Sequence, residues 1–164
     1  MHVERENFRD AMARLGAAVN IITTAGPEGD TGFTASAVCS VTDDPATILV
    51  CMNRGSRQFA AFQQVGRLCV NILGADGEGL SRLFAGQGGL SMAERFEGTQ
   101  WLRLATGAPV LESAVAALDC LISDTLEVGT HQVMFCAVQA VRLHPSCSGL
   151  IYHQRRYHRL EAAV

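Results

Sequence analysis

Apolar positions along this chain recur with two different periods. From Glu6 to Leu15, Phe8, Ala11, Met12 and Leu15 fall at helical spacing with charged residues between them, and Gly16 follows. That pattern predicts one amphipathic helix at the N-terminal end. Beyond it the pattern changes to short β-branched runs punctuated by turn residues. Residues 18–24 (AVNIITT) read as a strand and 25–30 (AGPEGD) as a turn. Residues 32–42 read as one long strand of small side chains, and 47–52 (TILVCM), after Pro45, as a buried strand. A loop, Asn53-Arg54-Gly55-Ser56, precedes a short helix with Phe59, Phe62 and Val65 on one face, and Ser56 is placed to cap it. Residues 68–73 (LCVNIL) form another strand, and 80–84 a short helix. Residues 86–100 are Gly-rich and polar, an excursion long enough to cover something. Two long strands, 114–128 and 132–144, flank the hairpin signal Gly129-Thr130, and 150–152 is a last short strand. Strands dominate and their connections are short, which argues for an antiparallel barrel or sandwich with peripheral helices. No GxGxxG follows the first strand, so a doubly wound nucleotide fold is not supported.

Composition narrows the classes. The chain has 164 residues, 48% of them hydrophobic, enough for one domain (1–164) with a core of its own. A net charge of −3 gives no general electrostatic reason to hold nucleic acid. The six cysteines form no CxxC pair and four sit inside apolar runs, so no metal site is expected. The start, MHVERENFRD, is too charged for a signal peptide, and no apolar run approaches membrane-spanning length. A reduced, cytoplasmic protein without membrane or nucleic-acid partners is the expectation.

Four places carry more polarity than buried strands need. Thr34-Ala35-Ser36 and Ser40-Val41-Thr42 offer small side chains and hydroxyls to a flat, polar-edged ligand; a solvated strand face would read the same way. Asn53-Arg54-Gly55-Ser56 lies at a strand-to-helix junction suited to phosphate, with Arg54 or Arg57 adding charge; an ordinary capped helix is the alternative. His131 opens an apolar strand after Gly129-Thr130, as a ligand contact, a proton donor or simply a turn residue. The segment 152–158 (YHQRRYH) interleaves aromatics with arginines, fit to stack on a nucleotide or to form a basic surface. Asn71, inside LCVNIL, is either a satisfied core amide or a ligand contact. No hydrolytic triad, carboxylate pair or P-loop is present, as suits a reaction whose chemistry resides in cofactors.

Taken in order, FRDAM (8–12), AAVNIITT (17–24), GFTASAVCSVTDDPATILVCMNRGS (32–56), LCVNIL (68–73), FAG (84–86), MAERF (92–96), VGTHQVMFCAV (128–138) and GLIYHQRRYH (149–158) resemble the flavin-reductase-like FMN-binding proteins. The likeness is strongest to the small reductase components of two-component monooxygenases, of the 4-hydroxyphenylacetate and pyrimidine-utilisation types. It runs nearly end to end. It implies a mostly β fold: a split β-barrel of Greek-key type with short flanking helices, assembled as a homodimer. It implies hydride transfer from NADH, or NADPH, to FMN or FAD, and delivery of reduced flavin by diffusion to a partner monooxygenase. By the same likeness, Thr34, Ala35 and Ser36, then Ser40, Val41 and Thr42, match the strand along the isoalloxazine. Asn53, Arg54 and Ser56 match the ribityl-phosphate end, Cys69 and Asn71 a neighbouring pocket strand, and Phe84 and Ala85 a flavin-side contact. Tyr152 and Arg156 match a closing C-terminal segment, and His131 the histidine that holds the nicotinamide. Many such proteins carry Gly-Asp-His where this chain has Gly129-Thr130-His131. A non-catalytic flavin- or haem-binding split-barrel protein is the alternative from another class, and an oxidase of the pyridoxine-phosphate type a third.

Overall fold

The computed structural model describes residues 3–145 and 147–162. Helix α1 (Arg5–Ala13) leads into the short β1 (Ala17–Ala18) and the hairpin β2 (Asn20–Gly26) and β3 (Gly29–Ala35). A second hairpin, β4 (Val38–Asp43) and β5 (Ala46–Asn53), is followed by α2 (Phe59–Val65) and β6 (Arg67–Ile72). Helices α3 (Glu78–Phe84) and α4 (Met92–Glu97) and the small hairpin β7 (Trp101–Arg103) and β8 (Pro109–Leu111) come next. The long hairpin β9 (Ala116–Val128) and β10 (His131–Leu143) and a last pair, β11 (Gly149–His153) and β12 (Arg156–Leu160), complete the order.

Seven strands form one sheet in the order β3-β2-β6-β9-β10-β5-β4, and every pairing is antiparallel. Its two outermost strands, β3 and β4, are consecutive in the chain and joined only through Ser36 and Ala37. In a flat sheet those strands would lie about 29 Å apart, at about 4.8 Å per strand. The link from Ala35 to Val38 reaches about 11 Å at most. The sheet must therefore curl until its edges meet at a seam, Ser36-Ala37, which lies outside both strands, with the Ala37 carbonyl accepting from the Cys51 amide. Within the curl sits a core of Ile22, Val50, Met52, Phe62, Leu68, Val70 and Met134. A second cluster, Val19, Ile21, Leu73, Phe84, Leu111 and Leu150, fills the space beneath the helices.

The break at the seam divides the strand expected over 32–42 into β3 and β4. Small residues on both faces of that run carry no periodic mark of where pairing stops. The excursion 86–100 is not all loop. Ser91 caps α4 by accepting from the Glu94 amide, while the Glu94 carboxylate accepts from the Ser91 amide. Phe96 of α4 then packs edge-on against Phe84 and beside Trp101, covering the second cluster. Phe84 can approach β3 because Gly32 stands there. A Cβ at Gly32 would lie 2.7 Å from the Ile22 carbonyl and 3.3 Å from the Phe84 ring. The last pair also exceeds the expectation, since the end of 152–158, read as a segment to stack on a nucleotide or as a basic surface, runs into β12.

Along β5 and β10 the barrel has two different faces. Ile48, Val50 and Met52 of β5 and Gln132, Met134 and Cys136 of β10 point inward and are buried. Their alternates face outward in register: Leu49 opposite Phe135, Cys51 opposite Val133, Asn53 opposite His131. On β9, Leu126 lies opposite Val133, and Val128 opposite His131.

Candidate functional site

A groove of about 470 Å³ runs between β3, the 56–58 turn and the ends of α3 and α4. Thr34, Ser56, Phe84 and Ala85, all expected at a flavin, line it, together with Arg57, Gln58 and Arg95. Its lining holds two arginines and no carboxylate, in a chain of net charge −3. Among the described residues neither arginine forms an ion pair. An unpaired double positive charge in a groove suits phosphate.

Further along the seam a second groove, about 500 Å³, is lined by Ser36, Ala37 and Tyr152, with Met12, Leu15 and Arg155 across from them. Ser36 and Ala37 are exposed, as an approach to their backbone requires, whereas Ala35 is buried. The Thr34 hydroxyl is taken by the Ser81 carbonyl at 2.6 Å, so Thr34 contributes surface rather than a free hydroxyl. Ser40, Val41 and Thr42 lie exposed on the edge strand β4, outside the lining of either groove.

The 53–56 loop differs from expectation in two ways. Ser56 does not cap α2: the helix starts at Phe59 after a turn in which the Ser56 carbonyl accepts from the Phe59 amide, and the Ser56 hydroxyl donates to the Gln58 side chain at 2.7 Å. Arg54 does not face the groove. Its guanidinium meets the Glu127 carboxylate at 2.6 Å and donates to the Gly129 carbonyl at 3.1 Å, and its amide donates to the Thr130 carbonyl. Arg54 thus ties the loop to the β9–β10 hairpin and leaves the phosphate-compatible charge to Arg57 and Arg95. Asn53 bonds its own turn, accepting from the Gly55 amide at 2.9 Å.

His131 is exposed at the mouth of that hairpin, paired in register with Asn53. Its Nδ1 is 2.9 Å from the Thr130 hydroxyl. When the hydroxyl donates, the ring proton sits on Nε2, aimed away from the turn as a donor. Thr130 therefore orients the imidazole.

Cys69 and Asn71 are corrected by the structure, since both are wholly buried. The Asn71 amide donates to the Ile21 carbonyl and the Thr23 hydroxyl, each at 3.0 Å, and accepts from the Leu111 amide at 2.7 Å. It is a core amide with its bonds made, joining β6 to β2 and β8. Cys69 packs with Ala108, Val110 and Ala117. Burial pushes its thiol well above the ordinary range, as it does for Cys120, and it takes Cys136 up to about 12. These sulfurs stay protonated and inert at neutral pH. Arg156 also misses the grooves. It pairs with His153 across a two-residue turn, Gln154-Arg155, whose positive φ angles of 49° and 60° carry Arg155 toward α1 instead. There Arg155 meets Asp10 at 2.6 Å, and the Gln154 amide donates to the Ala13 carbonyl. Arg95 is the site residue that reading the sequence missed; its one signal was its place in MAERF.

Residues 12–161 match the family model of the flavin reductase like domain. The chain belongs to that family. It is 53% identical over 159 residues to the FMN reductase (NADH) RutF of Serratia proteamaculans, covering 97% of this chain and 90% of that one. The structure superposes on a candidate flavin reductase of Haemophilus somnus with a TM-score of 0.92 at 44% identity, covering 96% and 99% of the two chains. It superposes on BorF, the flavin reductase component of a bacterial two-component tryptophan halogenase, with a TM-score of 0.89 at 25% identity, covering 98% and 100%. Membership in the flavin reductase family accords with the mostly β architecture.

Proposed function

We propose that this chain is an NADH-dependent flavin reductase that hands reduced flavin to a separate monooxygenase. The observation that carries the reading is the groove in which Arg57 and Arg95, both without ion pairs, converge beside Thr34, Ser56 and Ala85. The flavin phosphate belongs there, and β3 leads from it to the exposed Ser36-Ala37 backbone and Tyr152. When bound, the flavin supplies the hydride acceptor and the nicotinamide the hydride. The protein's part is to bring the two rings into contact, because orientation supplies much of the rate. Ser36 and Ala37 offer close backbone approach to the ring edge, and Tyr152 an aromatic face. His131, oriented by Thr130, positions the nicotinamide carboxamide as a hydrogen-bond donor. Both grooves are open to solvent along one side, which suits a flavin that enters and leaves.

The names of the relatives support this reading: FMN and NADH in the RutF protein, a two-component system in BorF. The outward face of β5, β10 and β9 supports a homodimer. All six cysteines are free thiols, which supports a cytoplasmic location for this single-domain chain.

The decisive experiment compares FMN with riboflavin, which lacks the phosphate. Arg57→Ala with Arg95→Ala should raise the FMN Kd about 10- to 100-fold, the scale of lost charge-assisted hydrogen bonds. The riboflavin Kd should stay within about twofold. Equal loss for both flavins, or no NADH oxidation by the folded wild type with either FMN or FAD, refutes the reading.

A further inference from the structure

Tyr152, the aromatic face offered to the flavin ring, is 37% exposed, and its hydroxyl forms no hydrogen bond among the described residues. A tyrosine so placed has several staggered orientations open to it unless something packed behind it fixes the ring. Tyr157 stands there. It is directly opposite Tyr152 on β12, and the two rings meet edge to face, their centroids 5.1 Å apart at an angle of 63°.

Tyr157 is itself held on several sides. Its half-buried ring packs against the second core cluster. Its hydroxyl lies 2.9 Å from the hydroxyl of Ser81, a fully buried residue of α3. The Arg82 guanidinium, bound to the Glu78 carboxylate at 2.7 Å, sits over the ring, 5.0 Å from its centroid. Tyr157 lines neither groove. Ser81 reaches the phosphate-compatible groove as well, because its carbonyl accepts from the Thr34 hydroxyl at 2.6 Å. One buried residue of α3 thus fixes a wall of that groove through its carbonyl. Through its hydroxyl and Tyr157, it also backs the ring that borders the seam.

We propose that Tyr157 is a positioning residue for flavin reduction: it acts through Tyr152, holding that ring in the orientation that receives the isoalloxazine. The inference rests on the flavin ring lying beside Tyr152. Its effect belongs to the ring end of the flavin and is blind to the phosphate, unlike that of Arg57 and Arg95. A poorly seated isoalloxazine also meets nicotinamide less often in the reactive orientation, so turnover falls with ring affinity.

Fluorescence titration of the purified full chain with FMN and with riboflavin tests this, with the emission of bound flavin read at saturating protein. A tyrosine against the isoalloxazine quenches that emission. Tyr152→Leu should raise the Kd of both flavins alike, about 3- to 10-fold, the scale of a lost aromatic contact, and brighten the bound flavin. Tyr157→Leu should reproduce both changes and lower kcat at saturating flavin. In the Tyr152→Leu background, Tyr157→Leu should move the flavin Kd by less than about twofold, since nothing remains for it to act through. Tyr157→Phe and Ser81→Ala each break the Tyr157–Ser81 bond and keep the ring packed. Each should give a smaller brightening of the same kind, and the pair together no more than either alone. Tyr157→Leu that lowers Tm but leaves Kd and bound-flavin emission unchanged shows a merely structural role and overturns the proposal. An effect that persists at full size without Tyr152, or one confined to FMN, also overturns it. Should Tyr157→Leu not fold, wild-type emission in both Tyr157→Phe and Ser81→Ala overturns it instead. Each of these failures, with Tyr152→Leu still weakening flavin, leaves the flavin site standing. Tyr152→Leu that changes neither flavin overturns the placement of the ring and the proposal with it.

Discussion

Asn71 shows what one residue can and cannot reveal before the chain is folded. An amide inside LCVNIL reads equally as a ligand contact or a core group, because the strand pattern around it is the same in both cases. What decides is which groups lie across from it, and those come from positions 21, 23 and 111. Removing the side chain strands the Leu111 amide and leaves the Ile21 carbonyl and Thr23 hydroxyl short of a donor in a fully buried site. Asn71→Ala should therefore lower unfolding stability by about 2–4 kcal/mol, the scale of a buried polar network left unsatisfied. Denaturant titration checks that loss. In the protein that remains folded, the flavin Kd should be unchanged, because Asn71 reaches neither groove. A large change in flavin affinity with stability intact would return Asn71 to the site. The arginines carry the same lesson: Arg54 and Arg57 are three apart in one loop, and only the position of Glu127 on another strand takes the first away from the groove.

At the scale of elements, what was legible was local. The β9–β10 hairpin follows from its two apolar runs and Gly129-Thr130, both visible in the sequence over a few residues. The seam at Ser36-Ala37 was not legible, because sheet closure decides it rather than any property of those residues. The β11–β12 turn was not legible either. Gln154 and Arg155 take positive φ without glycine or asparagine to announce it, held in place by Ala13 and Asp10. The β9–β10 hairpin also sets the task of His131. Its turn is anchored to the 53–56 loop through Arg54, and Thr130 fixes the ring. If His131 positions nicotinamide, His131→Ala should reduce kcat/KM for NADH about 5- to 150-fold, as for one or two lost hydrogen bonds. The flavin Kd should change little. Thr130→Val should give a smaller loss of the same kind, since it frees the ring without removing it. Steady-state NADH kinetics beside flavin titration separate these outcomes, and loss of flavin affinity with normal NADH kinetics would place His131 on the wrong ligand.

The whole molecule poses a question that no single strand does. In a barrel with one solvated face, residues alternating with the core should be polar. Here the outward row carries Leu49, Cys51, Val133, Phe135 and Leu126 across three adjacent strands, with the exposed Asp124 opposite Phe135 at its margin. Leu126 and Val128 are each 57% exposed, and Leu121, outward beside Ala137, is 45% exposed. Single exposed apolar residues need no explanation, but a contiguous patch on paired strands does. Repeated on an identical copy, the patch is self-complementary, as a two-fold dimer requires. His131 and Asn53 stand in the same outward row at its rim, so the partner would border the position proposed for nicotinamide. The chain should therefore sediment as a dimer at micromolar concentration. Val133→Asp places a charge at the centre of the outward patch and touches no inward core position, so it should yield monomers with a wild-type circular dichroism spectrum. Because the rim holds His131, those monomers should lose NADH turnover more than they lose flavin binding. A wild-type chain that sediments as a monomer contradicts the interface. A dimer unaffected by Val133→Asp would move the interface elsewhere, with the exposed Phe8, Met12 and Leu15 around α1 as the next apolar surface to test.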